Sequence, residues 1–396
     1  MSPASPLHIE PQELLAEFGS PLYAYDLDRL AANLAALRSA FDHPAVDLHY
    51  AIVCNKNRAI VSSLNGWGVG IHANTPGDAA AALAAGVPPG RIVYSGTNLD
   101  AGDLSYLFDR GIHMNLDSVD QVRDRARLGP GAVGLRYLID APERRNRIGV
   151  GDSELREALE LAAGSGLRVT GLHMYAGTNN LSGERALDCF DRMAEASHRL
   201  PDLEYLDVGG GFGVPYRPDR EPFDLDAFAA AALDRLDALA TKRGCELRLV
   251  VEPGRVLVAT TGTLYATVVS VKERDGRRYV GVDSTVGNIV VESVYHAFHR
   301  IEAVAAGGPA LSIPTDVCGN TTHSRDFLGR GVPLPAVSPG DILAVRDVGA
   351  YGYAMSSHFL NRPRPAEVVV ERGHTPLLTT RRETFEDLLA TQVVGG

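Results

Sequence analysis

Leu203-Glu204-Tyr205-Leu206-Asp207-Val208-Gly209-Gly210-Gly211 and Leu247-Arg248-Leu249-Val250-Val251-Glu252-Pro253-Gly254-Arg255 bracket the stretch of chain that decides the fold. Each is a short apolar run that ends in a glycine-bearing loop. Between them, Leu225–Lys242 carries an alanine- and leucine-rich helical pattern. Strand, helix, strand at this spacing implies parallel strands joined by a crossover helix. Working outward, the same alternation recurs. Val169–His173 precedes a helical Gly183–Arg199, and Val46–Val53, Ala59–Leu64, Gly68–Ala73 and Gly77–Ala85 repeat the theme near the start. Recurring about eight times in one domain, this pattern reads as a (β/α)₈ TIM-type barrel, here placed at residues 27–265.

After Gly262 the period changes. Thr263–Val271, Arg278–Val282, Asp341–Val345 and Ala366–Val370 read as strands, with Asp275-Gly276 as a turn. Residues 266–396 are therefore expected to form a mainly β domain. The fold class is α/β: a barrel plus a C-terminal mainly β domain.

Bulk numbers narrow the function. The 396 residues carry a formal net charge of −11, with 45% hydrophobic and 22% charged residues. A chain of this length buries ample core, and this balance, without a basic block, excludes nucleic acid and membrane as main partners. No signal-peptide pattern opens the sequence, so a cytoplasmic location is expected. Cys54, Cys189, Cys245 and Cys318 form no CxxC pair and read as free thiols. Lysine occurs only at 56, 242 and 272.

Two loops carry chemistry on their own terms. The run Gly209, Gly210, Gly211 lets backbone N–H groups approach an anion closely; read blandly, it is a strand-to-helix turn. Glu252, with Gly254 and Arg255 beside it, closes a buried strand, where a carboxylate serves either a ligand or a cap.

Beside these, Tyr50-Ala51-Ile52-Val53-Cys54-Asn55-Lys56-Asn57, Ser20-Pro21-Leu22-Tyr23-Ala24-Tyr25-Asp26 and Arg346-Asp347-Val348-Gly349-Ala350-Tyr351-Gly352-Tyr353 stand in an order and spacing similar to those of one family. The chain resembles the diaminopimelate and ornithine decarboxylases, the alanine racemase-like barrel enzymes that use pyridoxal 5'-phosphate. The resemblance adds residues 1–26, with the strand Leu22–Tyr25, to the mainly β domain. It implies a lyase acting on an amino acid or a derivative. It implies pyridoxal phosphate cradled by Gly209, Gly210, Gly211, Gly254, Arg255 and Tyr351, with Glu252 facing the ring nitrogen and His173 beside the ring. It also implies a homodimer with shared sites, the segment Gly319–Asp326 and Tyr351 acting across the interface.

The departures from the family pattern gather at functional positions. Val53 stands where the family has its Schiff-base lysine, and His72 where an aspartate is usual. Tyr175 replaces the ring-stacking histidine and Thr322 the proton-donor cysteine. His323 follows where an acidic residue is common, and Asn288 takes the place of a substrate-binding arginine. Valine forms no imine and moves no proton, so the cofactor is expected to be held without a covalent bond, or to be absent. Tyr175, Thr322, His323, Lys56 and His72 are the catalytic candidates. Lys56 is the sole lysine near the lost one, and Tyr175 still offers an aromatic face.

Such a protein is expected to be an altered, lysine-free decarboxylase of a specialised biosynthetic pathway. The alternatives are a non-catalytic homologue, or a cofactor-independent enzyme in which His72, His173 and His323 meet Cys54 around zinc, iron or copper. The site as read carries no metal.

Overall fold

The computed structural model describes residues 8–139, 147–304 and 308–393. It divides into two compact units, one of residues 34–214 and 222–256, the other of residues 1–33, 215–221 and 257–396.

The first unit is a closed barrel of eight parallel strands: β2 (Val46–Ala51), β3 (Gly70–Ala73), β4 (Ile92–Ser95), β5 (His113–Leu116), β6 (Gly131–Arg136), β7 (Leu167–His173), β8 (Tyr205–Asp207) and β9 (Arg248–Val251). Neighbours pair in parallel around the ring, and β9 closes on β2 through Val46, Asp47 and Leu48. Strands such as β3 and β8 are buried along their whole length, as expected where helices cover the outer face of a parallel sheet.

Local signals start the helices. The side chains of Asn57, Thr75, Asp100, Ser118 and Asp224 each accept a backbone N–H of the first turn that follows. The longest helix among the described residues, Leu225–Arg243, stops at Gly244 in the left-handed conformation, a C-terminal geometry that glycine adopts without strain.

Sequence and structure differ at the end of β2. The apolar run Val46–Val53 reads as one strand, yet the strand stops at Ala51 and Ile52–Cys54 forms a 3₁₀ turn. The Ala51 N–H donates across to the Pro253 carbonyl, and the Tyr50 hydroxyl donates to the Asn55 carbonyl, which folds the chain over at this point. Val53 is consequently 39% exposed rather than packed as a strand residue.

The second unit is a mainly β sheet in the order β14-β13-β11-β10-β1-β16-β17, with β15 pairing β10 and β12. Its strands are β1 (Leu22–Asp26), β10 (Gly262–Arg274), β11 (Arg277–Val282), β12 (Ile301–Val304), β13 (Thr315–Cys318), β14 (Phe327–Gly329), β15 (Ile342–Arg346), β16 (Ala366–Val370) and β17 (Leu377–Thr380). Asp275 and Gly276 turn β10 into β11, both with positive φ as a tight hairpin demands. Leu14, Leu22, Ala24, Tyr265, Ala344 and Val368 form its core.

The boundary falls elsewhere than 27–265. β10 opens at Gly262, and its first residues run antiparallel to β1, Gly262 opposite Tyr25. Hydrogen bonding to β1 therefore draws residues 257–265 into the β-rich unit, and residues 27–33 follow β1 there.

Candidate active site

Three buried side chains converge inside the barrel. His72 lies on β3, His173 ends β7, and Glu252 follows β9 directly. Counted around the ring these are the second, sixth and eighth strands. Alternate strands of such a barrel send side chains into one layer, so residues far apart in sequence share a level. His72 Nε2 is 3.2 Å from Glu252 Oε1, and His173 Nε2 is 3.3 Å from Glu252 Oε2. The two imidazole rings lie nearly parallel, 20° apart in plane, with centroids separated by 6.0 Å.

Asp207 and Arg136 complete the charged set. Asp207 ends β8 and accepts the Gly209 N–H at 2.8 Å through Oδ1. Burial pushes the Glu252 carboxyl up to about 8, with Asp207 and Arg136 pulling it back. Burial and the neighbouring Glu252 hold the Asp207 carboxyl far above the usual carboxylate range. The His173 imidazole is pushed down to about 4 by burial, and His72 is driven well down by burial, with the charges of His173 and Arg136 adding to it. The interior thus favours neutral imidazoles and neutral acids.

The glycine run wraps the same end of the barrel. A Cβ on Gly209 would fall 2.4 Å from the Met174 carbonyl oxygen, on Gly210 2.1 Å from that of Glu252, and on Gly211 2.0 Å from that of Gly177. These positions admit only glycine because backbone meets backbone there. The Glu252 N–H donates to the Gly209 carbonyl, while the N–H groups of Gly210 and Gly211 have no partner among the described residues. Gly210 and Gly211 are half-buried, and backbone N–H groups without partners in a turn are able to bind an anion. Gly254 is equally confined: a Cβ there would strike Cys54 Sγ.

Tyr175 and Val53 are the exposed apolar groups of this unit near those loops in sequence, at 43% and 39%. The Tyr175 hydroxyl shares a hydrogen bond of 2.7 Å with Thr178 Oγ1, and the Arg136 guanidinium lies 5.9 Å from the Tyr175 ring centre. Lys56 is exposed on the loop after the 3₁₀ turn.

The remaining candidates belong to the β-rich unit. Thr322 is exposed, His323 packs edge-on against Phe359 with centroids 5.4 Å apart, and Tyr351 adopts a positive φ just after β15. In the segment 319–326 the organising group is Asp326, which accepts the Val286 N–H at 2.6 Å and the Thr321 N–H at 2.9 Å. Asn288, beside it in the fold, is buried and accepts from Ser284.

The four donors considered for a metal do not form one group. Among the described residues the donors that converge are His72, His173 and Glu252, without Cys54 or His323. Sequence reading passed over Arg136 and Asp207. Both carry a signal in hindsight, a charged residue closing an apolar strand.

A cavity of about 610 Å³ opens at the opposite end of the barrel, lined by strand starts such as Val46, Gly70, His113 and Arg248. Barrel enzymes place their chemistry at the C-terminal ends of the strands, where His72, His173 and Glu252 stand. Gly134 and Gly171 leave room on its wall for the Tyr205 ring, whose hydroxyl donates to Asn115 and meets His113.

Residues 27–259 match the family described as pyridoxal-dependent decarboxylase, pyridoxal binding domain. The diaminopimelate decarboxylase of Methanothermobacter thermautotrophicus is 32% identical over 402 residues, covering 96% of this chain and 94% of that protein. That of Neisseria meningitidis is 32% identical over 406 residues, covering 97% and 95%. Among solved structures, diaminopimelate decarboxylase of Helicobacter pylori complexed with L-lysine superposes with a TM-score of 0.88 at 29% identity, over 96% of this chain and 98% of that one. The enzyme from M. jannaschii in co-complex with L-lysine gives 0.90 at 25% identity, over 97% and 94%.

Proposed function

The chain belongs to the pyridoxal-dependent decarboxylase family, and on that premise we propose that it acts on an amino acid or amino-acid derivative by a lysine-free route. The carrying observation is the pairing of unpartnered amides at Gly210 and Gly211 with a buried acid, Glu252, whose backbone touches the same glycine run. That pair fits the two ends of a phosphorylated pyridine: amides for the phosphate, carboxyl for the ring nitrogen. Position 53 offers an alkyl group where the family resemblance puts the tethering amine, so the fit is non-covalent.

In this reading Gly209, Gly210 and Gly211 hold the phosphate, with Gly254 and Arg255 beside them, and Glu252 holds the ring. Tyr175 offers a face to it. Bound pyridoxal phosphate would supply an electron sink at the substrate carbon. Among this chain's own groups, neutral His173 keeps Glu252 in place. Arg136, near the Tyr175 ring and within electrostatic reach of Glu252 and Asp207, offers a partner for a substrate carboxylate. Thr322 and His323 are proposed to serve the partner's site in a homodimer, as the resemblance implies. A specialised biosynthetic role accords with the changes at 53, 72, 175 and 322. No helix among the described residues is long and apolar enough to cross a membrane.

Binding of pyridoxal phosphate by equilibrium dialysis tests the reading. Wild type should bind saturably and lose the ligand on dialysis. Val53→Lys should keep it, as a mass increase after borohydride reduction. A folded Val53→Lys protein that captures nothing, with no binding to wild type, overturns it and favours a non-catalytic homologue.

A further inference from the structure

The geometry points to a divalent transition-metal site formed by His72, His173 and Glu252, of the class that takes zinc, cobalt(II) or iron(II).

One donor atom from each of the three residues lies within 4.8 Å of the others. Donors about 2.0–2.1 Å from a tetrahedral metal sit roughly 3.3 Å apart. His72 Nε2 lies 3.2 Å from Glu252 Oε1 and His173 Nε2 3.3 Å from Oε2, so each imidazole stands at about that distance from a different oxygen of the carboxylate. Two imidazoles and one carboxylate are a recurrent ligand set for zinc and for non-haem iron(II), leaving at least one position open for water or substrate.

The second observation is a deficit of hydrogen bonds. Neither nitrogen of His72 has a partner, nor does Glu252 Oε1, although His72 Nε2 and Glu252 Oε1 face each other. They are close enough to bond but not aligned for it. His173 Nδ1 is unpartnered as well. All are buried, His173 to 1% and His72 and Glu252 to 4% exposure. Buried polar atoms normally find partners, and a cluster this dense without them lacks something. A metal ion satisfies the His72 nitrogen and the Glu252 oxygen together.

The third is the replacement pattern. In the family pattern an aspartate is usual at the position of His72 and a lysine at that of Val53. The chain carries an imidazole donor at the first and no ammonium group at the second, so no cation from residue 53 competes with the ion. Asp207 is placed to support the site: its carboxyl stands within hydrogen-bonding reach of the Glu252 carboxyl. The open position would accept one donor atom of an α-amino acid, a carboxylate oxygen or the amine, on a Lewis-acidic ion. A metal and a pyridine nitrogen cannot both occupy Glu252, so the two ligands load alternatively. The metal site itself requires no pyridoxal phosphate.

The test uses the full chain stripped with a chelator and titrated with cobalt(II), read by its visible ligand-field bands and by isothermal calorimetry. One ion per chain, displaced by zinc, is expected. His72→Gln preserves side-chain bulk and should weaken cobalt at least about tenfold. His173→Gln should do the same, while Lys242→Ala, on the helix Leu225–Arg243, should leave cobalt affinity unchanged. Folding of each variant is checked by circular dichroism and urea unfolding. Absence of saturable cobalt binding to folded wild type overturns the proposal. So does equal affinity in the folded His72→Gln protein, which would put the ion elsewhere.

Discussion

Gly210→Ala tests whether the cradle and the acid are one rigid piece. Gly210 carries no positive φ, so alanine costs nothing in backbone conformation, and the whole penalty is contact. The new Cβ would lie 2.1 Å from the Glu252 carbonyl oxygen, and real contacts of this kind stay beyond 3.0 Å. One of the two backbones must therefore retreat by roughly 1 Å, in a packed interior that relaxes poorly. Retreat stretches the bond from the Glu252 N–H to the Gly209 carbonyl, now 2.8 Å. Overpacking at about 1–3 kcal/mol, plus about 1 kcal/mol for a weakened hydrogen bond, gives a loss of about 2–4 kcal/mol. Glu252 moves with its backbone, so ligand binding at its carboxylate should fall with stability, since a 1 Å displacement of a binding group is costly. The assay is urea unfolding at equilibrium, with cobalt(II) and pyridoxal phosphate affinities measured alongside. Gly86→Ala is the control: its φ of 86° strains alanine, yet a Cβ there meets nothing within 4 Å. It should cost about 1 kcal/mol and leave binding untouched. A Gly210→Ala protein within about 0.5 kcal/mol of wild type, with unaltered binding, would refute the reasoning.

Other outcomes follow from the same geometry. Asp326→Ala leaves the Val286 and Thr321 N–H groups without their acceptor, and should cost about 3–5 kcal/mol by urea unfolding. Asp326→Asn, which keeps one acceptor oxygen, should cost less. The His113 imidazole is pushed down to about 4 by burial. The unfolded chain therefore binds its proton between roughly pH 6.5 and 4 and the native one does not. Stability supplied by neutral His113 is present above that window and lost as pH falls through it. His113→Gln should lose about 2–3 kcal/mol less than wild type over the same acid range in unfolding titrations. Lys56→Ala should leave pyridoxal phosphate binding as in wild type, because the exposed ammonium holds nothing in the barrel. A loss of binding would reinstate Lys56 as a substitute anchor.

Much of this was legible in the chain. Parallel strands with crossover helices follow from apolar runs alternating with helical periods, because each strand must be covered on both faces. β16 was read at Ala366–Val370 and stands there, and the turn at Asp275-Gly276 follows from residues that tolerate positive φ. The glycine run and Glu252 could be singled out because a strand that ends in glycine or an acid breaks an apolar pattern for a reason. The end of β2 was misread because hydrogen bonds to Pro253 and Asn55, not local propensity, stop it at Ala51.

What sequence order could not hold is proximity. His72, His173 and Glu252 carry no shared spacing, and His173 stands 79 residues from Glu252. Their meeting depends on barrel closure, since only when β9 pairs with β2 do alternate strands aim side chains into a common layer. The residue types, and so the chemistry available, were written in the chain. Which of them face one another in a dry interior, with burial favouring their neutral forms, was decided by the closed sheet.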